Sequence, residues 1–380
     1  MDVAPELLEW ARTRSGRTTD DLEAKFPKLR EWLSGRSKPT QRQLEQFAAA
    51  TYTPIGMLFL SAPPVEKLPI PDYRTVEGGG VEAPSADLLE AIYICENRQS
   101  WFRQFAETRN YPSVPIVGSL TLSIEPVSAA RTLREQLGFG LASRTEYPTW
   151  TDALSGLSER AESTGVMVMV SGIVGTNTHR KLNPAEFRGF SLADELAPVV
   201  FVNGADSKAA QIFTLAHELT HVSLGGSDVS RPDLRDTAES NETERWCNNV
   251  AAELLVPVDS LAEEYNRSAD VGAEIQRLAR FYKVSTLVIL RRIFDANMIS
   301  RSRYWSEYDR EYERVLAYLE KSGSGGNFYY AQPVRTSKKF ARAVIADTLE
   351  GGTLYRDAYR LLGFKKSSTF DELTQRLGVA

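Results

Sequence analysis

Apolar residues recur every three or four positions through the first sixty residues, which is the spacing of one buried helix face. Ser34-Gly35 and Lys38-Pro39-Thr40 interrupt this pattern, and Thr40 is typical of a helix N-cap. The pattern predicts a compact helical module over residues 1–62, followed by an extended proline-rich linker over residues 63–84. The residues on the buried face are Leu7, Leu8, Ala11, Leu22, Phe26, Leu29, Trp32, Leu33, Leu44, Phe47 and Ala48.

Beyond the linker, the apolar pattern alternates between the helix period and short β-branched runs. The short runs predict buried strands at 166–174, 187–192 and 199–203. A Gly/Ser-rich run at 322–326 predicts a flexible break before a small C-terminal helical unit, 327–380. The predicted fold is therefore α+β and mainly helical. The helical pattern covers 85–110, 125–137, 150–164, about 207–224, about 243–255 and all of 272–320.

Composition and charge exclude several classes of protein. The 380 residues are 42% hydrophobic and 25% charged, as in a soluble globular protein with more than one domain. The net charge of -5 argues against a protein that coats nucleic acid along its whole length, although a local basic patch remains compatible with it. The longest apolar run, 166–174, is too short to span a bilayer, and Met1 to Glu6 lack a secretion signal's pattern. With only Cys95 and Cys247 and no disulfide framework, we expect a cytoplasmic protein.

The strongest chemical signal is the hexapeptide Ala216-His217-Glu218-Leu219-Thr220-His221. Residues four apart lie on one face of a helix, so His217 and His221 can direct ring nitrogens to one metal ion. Glu218 lies beside such an ion, where its carboxylate can take a proton from a metal-bound water. Because the neighbouring residues are apolar on most faces of the helix, we expect this helix to be buried, with strand 199–203 beside it.

A catalytic site needs a third ligand, and the segment 243–257 supplies the best candidate. Glu244 can offer a carboxylate oxygen, and Asn248, one helical turn on, can accept the spare N–H of a ligating histidine. Glu253 is a competing ligand about two and a half turns further along the helix. We favour Glu244 because it is paired with Asn248 in the same register.

Two histidines and one glutamate leave the fourth zinc position open, which is the pattern of a catalytic rather than a structural site. The alternative is a surface helix that spells His-Glu-x-x-His by chance, expected in on the order of one chain in a hundred. The apolar helix and the downstream glutamate favour the metal site. We therefore predict zinc at His217, His221 and Glu244, with Glu218 as the general base.

These segments resemble the ImmA/IrrE family of zinc metallopeptidases, with a similarity that covers roughly residues 125–300. The resemblance implies a gluzincin-like core, placed at 85–270, in which Glu244 is the third ligand and a small antiparallel sheet lies beside the His-Glu-x-x-His helix. Cys247 and Val250 replace the usual alanine and phenylalanine conservatively. The similar segments are Phe187 to Phe190, Pro198 to Asn203, Phe213 to His221, Glu244-x-x-x-Asn248 and Ala251 to Pro257.

The resemblance implies an endopeptidase that cuts a specific regulatory protein, a repressor in particular, in stress, phage-related or toxin–antitoxin regulation. The alternative is a non-enzymatic regulator or antitoxin that binds its operon-encoded partner through the peptidase fold. The intact Glu218 favours the enzyme, because metal binding alone does not need this carboxylate. The tetrahedral oxyanion needs a further donor. His179 is a candidate, although an exposed loop histidine is the simpler interpretation.

The N-terminal module resembles a repressor-type (XRE) helix-turn-helix. Residues 10–42 carry nine basic and four acidic side chains, a local charge of +5 that could meet DNA phosphates. Pro27, however, stands where a recognition helix would begin, so DNA binding through residues 1–60 and protein docking are equally supported. The candidate DNA contacts are Lys28, Arg30, Arg36 and Lys38.

Residues 271–320 also have a helix-turn-helix rhythm, and a subdomain that buttresses the zinc site is the favoured interpretation. An apolar stripe through its last part indicates core rather than a base-stacking surface. The stripe consists of Tyr304, Tyr308, Tyr312, Val315, Leu316 and Leu319. The role of the unit at 327–380 does not follow from its sequence.

Overall fold

The computed structural model of the protein describes residues 3–72, 83–230, 242–321 and 334–379. These residues fall into two compact units. The first contains the described residues up to Pro69 and those from 83 to Tyr93, and the second contains residues 70–72 and those from Ile94 onwards. None of the helices in the described residues is long and apolar enough to cross a membrane.

The first unit is helical, as its apolar pattern predicts. Thr18 and Thr40 each close a capping box, with Asp21 and Gln43 respectively, and these caps begin the second and fourth helices. The second and third helices have only five residues each. The helices are α1 (Pro5–Arg14), α2 (Thr19–Glu23), α3 (Leu29–Leu33), α4 (Gln41–Ala50) and a 3-10 helix (Ile55–Phe59), around a core that includes Leu22, Trp32, Leu44 and Phe47.

The remaining helices follow the predicted ranges closely, with two differences. The region 272–320, predicted to be helical with a helix-turn-helix rhythm, forms three helices: Lys283 adopts φ 57° before Ser285 caps the second, and Asn297 adopts φ 55° before the third. Two short helices were not predicted, α7 with five residues and α11 with seven. The helices are α5 (Ala86–Thr108), α6 (Pro126–Leu137), α7 (Leu141–Thr145), α8 (Trp150–Ser163), α9 (Lys208–Leu224), α10 (Glu242–Leu255), α11 (Val258–Glu264), α12 (Val271–Tyr282), α13 (Thr286–Asp295), α14 (Arg301–Lys321), α15 (Lys338–Leu349), α16 (Tyr355–Leu362) and α17 (Ser367–Leu377).

Four short strands form one sheet in the order β1-β3-β2-β4. The prediction of an antiparallel sheet was wrong in one respect, since β1 and β3 pair in parallel. The reason is connectivity: β3 lies between β1 and β2, and the chain reverses between β2 and β3, so β3 runs in the direction of β1. The strands are β1 (Met167–Ser171), β2 (Gly189–Leu192), β3 (Val199–Asn203) and β4 (Asp228–Ser230).

Helix α9 occupies the centre of the second unit, in contact with β2, β3, α8 and α10. Ser207 caps its first turn by accepting from the Ala210 N–H, and Gly225 ends it in the left-handed conformation at φ 76°. Every side chain from Gln211 to Ser223 is buried. Such complete burial explains why the sequence is apolar on most faces of this helix.

The helices that follow α10 pack into the same apolar core as α9. Leu278, Ile289 and Tyr304 are buried in the cluster that also contains Leu215 and Leu219 of α9. This shared core fits a buttressing role for residues 271–320. In the predicted stripe, Tyr304 and Tyr308 are buried and Tyr312 is 38% exposed, whereas the side chains of Val315, Leu316 and Leu319 lie outside the described ones.

Polar contacts bind the three C-terminal helices to the rest of the second unit. Arg109, the residue after α5, pairs with Asp347 of α15 at 2.9 Å, and Arg98 of α5 donates to the Leu361 carbonyl at 3.1 Å. Glu162 of α8 accepts from the Lys339 N–H at 3.3 Å. The predicted break at 322–326 lies outside the described residues.

Candidate metal centre

The two histidines of α9 lie one turn apart and turn the same ring nitrogen toward each other. Their Nε2 atoms are 3.0 Å apart, and both side chains are at most 1% exposed. Their rings meet edge to face, with centroids 4.7 Å apart. Two buried imidazoles with converging nitrogens are the arrangement that a helical His-x-x-x-His pair uses to hold one ion.

Glu244 of α10 completes the cluster from the neighbouring helix. Its Oε1 lies 3.0 Å from His221 Nε2, and its Oε2 lies 3.4 Å from His217 Nε2. Ligands about 2.05 Å from a tetrahedral zinc ion are separated from one another by about 3.3 Å. The three spacings of 3.0–3.4 Å therefore fit one zinc ion, and in the described residues these three side chains are the group able to hold a metal.

The charge of Glu244 suits a metal ligand. Burial by itself would raise the pKa of its carboxyl, but the charges and hydrogen bonds of His217 and His221 more than offset this effect. The pKa of Glu244 is consequently held well below its usual range. The carboxylate is thus ionised wherever the protein is folded near neutral pH, as a zinc ligand must be.

Three arginines bind the C-terminal end of α10, the helix that carries Glu244. Arg134 and Arg144 donate to the carbonyls of Glu253 and Leu255, and Arg292 donates to the Val256 carbonyl at 3.0 Å. Cations at this end stabilise the helix because its terminal carbonyls lack partners within it. These bonds tie the end of α10, the helix that carries Glu244, to α6, α7 and α13.

Glu253, the competing ligand considered above, is used elsewhere. Its Oε2 forms an ion pair with Arg292, in which both side chains are 8% exposed, and accepts from the Val258 N–H at 3.3 Å. It does not join the histidine cluster, in which Glu244 is the carboxylate. The choice of Glu244 over Glu253 thus agrees with the geometry, because the helix register directs the two side chains to different neighbours.

Asp228 of β4 orients His221. Its Oδ2 lies against His221 Nδ1, and both side chains are 1% exposed. Burial would lower the pKa of His221, but the Asp228 carboxylate, together with the neighbouring Cys247, more than offsets burial and raises this pKa well above its ordinary value. A carboxylate on Nδ1 keeps the proton there and leaves Nε2 free to bind a metal.

The sequence assigned this orienting role to Asn248. In the part of the chain that the structure describes, Asn248 Oδ1 and His217 Nδ1 are both buried without a hydrogen-bond partner. Asp228 therefore orients His221, while a bond from a ligating histidine to Asn248 stays a prediction.

Glu218 directly follows His217 on α9 and faces the sheet. It is fully buried, and its Oε1 accepts a hydrogen bond from the Ser230 hydroxyl. Its Oε2 is buried without a hydrogen-bond partner in the described residues. Burial, reinforced by the nearby Asp228 charge, raises the pKa of Glu218 well above its ordinary value. A buried carboxyl with raised pKa and one unengaged oxygen can accept and release a proton, as a general base must.

The other predicted site residues lie elsewhere on the surface. His179 is exposed on the turn 176–180, where its backbone N–H donates to Asn177 Oδ1. In the described residues no contact between its ring and the histidine cluster is recorded, and its role as oxyanion donor stays a prediction. Of the candidate DNA contacts, Lys28, Arg36 and Lys38 are exposed, whereas the guanidinium of Arg30 is paired with Glu23 and Asp20.

Sequence reasoning missed three residues of this centre: Asp228, Ser230 and Gly189. Asp228 and Ser230 belong to a strand of three residues, which is too short to show a period, whereas Gly189 lies in the predicted strand 187–192 but was given no role. One signal was available, since Asp228-Val229-Ser230 follows the Gly225-Gly226 helix stop and alternates polar, apolar and polar. The alternation places two polar side chains on one face of a strand.

Comparison with known proteins agrees with this geometry. Residues 161–294 match the IrrE N-terminal-like domain, and residues 336–376 match a domain of unknown function (DUF8813).

The radiation response metalloprotease IrrE of Deinococcus radiodurans is 29% identical over 153 residues, which are 37% of this chain and 46% of the relative. IrrE of Deinococcus deserti is 35% identical over 91 residues, 23% of this chain and 32% of the relative. The chain thus spans less than half the length of either relative. Residues 161–294 form an IrrE N-terminal-like domain that is distantly homologous to these metalloproteases and carries a buried His-His-Glu cluster able to hold a metal ion.

Proposed function

We propose that the protein is a zinc-dependent endopeptidase that cuts a specific regulatory protein, a repressor, in stress, phage-related or toxin–antitoxin regulation. The observation that carries this proposal is Glu218. A site that only bound metal would have no use for a buried carboxyl beside the ligands, with one oxygen unengaged. The homology to IrrE metalloproteases supports the same reaction class.

In this proposal, each residue of the site has a separate role in metal binding, ligand orientation or proton transfer. His217, His221 and Glu244 would hold the zinc ion, and Asp228 would keep His221 in the tautomer that binds it. When bound, zinc supplies Lewis acidity to water and to the scissile carbonyl. Glu218 takes the water proton and later gives it to the leaving nitrogen. Burial of the whole cluster strengthens these charge interactions, because few water molecules compete with them.

The decisive experiment compares wild type with Glu218→Gln in the native host. The variant keeps the shape of the side chain and all three ligands but removes the base. We expect both proteins to bind one zinc ion per chain, and new protein N-termini to appear with the wild type alone, as measured by N-terminal peptide mass spectrometry. Identical sets of termini from both strains would contradict endopeptidase activity. Zinc retained at full stoichiometry by His217→Ala would contradict the ligand assignment.

The second candidate function is a regulator that binds DNA or an operon-encoded partner. The first unit favours this second function, because Lys28, Arg36 and Lys38 are exposed there in a region of net positive charge. Two observations argue against DNA binding: Arg30 forms ion pairs with Asp20 and Glu23, and α3 has only five residues. A recognition helix normally presents several side chains to a DNA groove.

The two candidates respond differently to salt and to mutation. If the first unit binds DNA, retention on duplex DNA should fall steeply between about 50 and 200 mM salt. The triple variant Lys28→Gln, Arg36→Gln and Lys38→Gln should then lose retention, while Glu218→Gln keeps it. Salt-independent retention, or none in the wild type, would exclude DNA binding and leave protein docking.

A further inference from the structure

We propose that Ser230 is a positioning residue for Glu218: its hydroxyl holds Oε1 and leaves Oε2 as the oxygen that exchanges the proton. This inference rests on the proposed function, because it assigns the working atom of the same base. It concerns β4, a strand that contributes no metal ligand.

Two side chains of β4 contact α9. Asp228 and Ser230 are alternate residues of a strand and therefore share one face. His221 and Glu218 are three apart on α9 and share one face of the helix. The two pairs meet in register, Asp228 against His221 and Ser230 against Glu218. One short strand therefore orients a metal ligand and the general base together.

The neighbouring strand makes room for this arrangement. Ser230 is directly opposite Gly189 in the antiparallel pairing of β4 with β2. A Cβ added to Gly189 would lie 2.7 Å from Glu218 Oε1, so any side chain there would push the carboxyl out of place. The absence of a side chain at Gly189 lets Oε1 reach the sheet, where the Ser230 hydroxyl donates to it.

The consequence is that the two carboxylate oxygens are no longer equivalent. Oε1 is engaged by Ser230, while Oε2 is buried and has no hydrogen-bond partner in the residues described. Peptide hydrolysis forms a C–O bond to the water oxygen, breaks the C–N bond and moves one proton from water to nitrogen. A single carboxylate oxygen can accept the proton from water and later donate it to the leaving nitrogen. The hydrogen bond to the other oxygen therefore does not interfere with proton transfer, and it fixes the position of the base.

The test uses the full-length zinc protein and two binding measurements, so it needs no substrate. Zinc affinity is measured by competition with a chelator, and acetohydroxamate affinity is measured by calorimetry on the zinc-loaded protein. A hydroxamate chelates zinc through its oxygens and passes its proton to an adjacent base. The affinity of the zinc-loaded protein for acetohydroxamate therefore depends on the position of the Glu218 carboxyl. The matched control is Ser191→Ala, a fully buried serine of β2 whose hydroxyl donates to the Gly226 carbonyl at 3.3 Å.

We expect Ser230→Ala to bind zinc like the wild type and acetohydroxamate about tenfold more weakly, as for the loss of a hydrogen bond to a charged group. Ser230→Thr should restore hydroxamate affinity, Ser191→Ala should leave it unchanged, and Glu218→Gln should weaken it at least as much as Ser230→Ala. If Ser230→Ala does not fold, Ser230→Cys keeps the volume with a weaker donor and should show the same loss.

Wild-type hydroxamate affinity in Ser230→Ala would overturn the proposal. An equal loss of zinc affinity would also overturn it, because Ser230 would then act on the ligands rather than on the base. If the binding results are as expected and no protein is cut in the host, the proposed function fails while the position of Glu218 stands.

Discussion

His221 Nδ1 and Asp228 Oδ2 are in direct contact inside the protein, each on a side chain that is 1% exposed. His221, a candidate metal ligand, belongs to a long buried helix, and Asp228 belongs to a three-residue strand. Because the imidazole is oriented from outside its own helix, the metal centre depends on the sheet as well as on the His-Glu-x-x-His motif.

Removing this carboxylate should weaken zinc binding without removing a ligand. For Asp228→Ala we expect a loss of about 10- to 100-fold in zinc affinity, and a smaller loss for Asp228→Asn, which retains an acceptor oxygen. Chelator competition measures both. Asp206→Asn, at a carboxylate that pairs with Arg188 at 3.3 Å, is the control and should leave zinc affinity unchanged. Wild-type affinity in Asp228→Ala would contradict the orienting role.

The stability of the metal-free protein should fall as the pH rises. Burial opposes the charge on His221, but Asp228 and Cys247 more than offset it and raise the pKa of His221. The stabilisation of the folded state by protonated His221 is therefore complete below the unfolded pKa of about 6.5 and is lost as the pH rises through the folded pKa. Glu218 acts in the same direction: its raised pKa favours the protonated folded form, and this advantage disappears as the pH rises. Melting temperatures with excess chelator, from pH 6 to pH 9, measure this trend.

Zinc should reverse that trend, because it binds only unprotonated imidazole. The increase in melting temperature on adding zinc is therefore expected to grow from pH 6 to pH 9. His221→Asn should show neither the zinc effect nor the full pH effect. A zinc-induced increase that shrinks as the pH rises would be inconsistent with protonated His221 in the metal-free protein.

Gly189 should tolerate no side chain. A Cβ there would lie 2.6 Å from Thr214 Cγ2 and 2.9 Å from the Phe201 backbone oxygen, which the sheet holds in place. We expect Gly189→Ala to lower the free energy of unfolding by about 1–3 kcal/mol and to displace the Glu218 carboxyl. Urea unfolding measures the first effect and acetohydroxamate affinity the second. At Gly56 an added Cβ meets nothing within 4 Å, so Gly56→Ala is the matched control.

Glu253 should matter for folding and not for metal binding. Glu253→Ala leaves the Arg292 guanidinium buried without its carboxylate partner, which typically costs about 3–5 kcal/mol of unfolding free energy. The fraction that remains folded should still hold one zinc ion per chain, as measured by metal analysis after gel filtration. A stable variant that had lost its zinc would instead identify Glu253 as a ligand.

Much of this protein could be derived from periodicity and spacing alone. Strand Val199–Asn203 was predicted residue for residue, and α9 and α10 within one residue at each end, because long apolar patterns and clear caps define them. His217, His221 and Glu218 follow from one hexapeptide, since a helix fixes the relative positions of residues four apart. These features depend on contacts that are local along the chain.

Tertiary structure decided what depends on contacts between distant segments. The parallel pairing of β1 with β3 follows from the strand order, which no local pattern encodes. The choice between Glu244 and Glu253 depended on Arg292, 39 residues further along the chain, which engages Glu253. Asp228 and Ser230 stand in too short a strand to be read from sequence, and their roles appear only where β4 lies against α9. The sequence by itself determined the helix and the reacting groups, while packing of the sheet determined which atoms those groups turn toward one another.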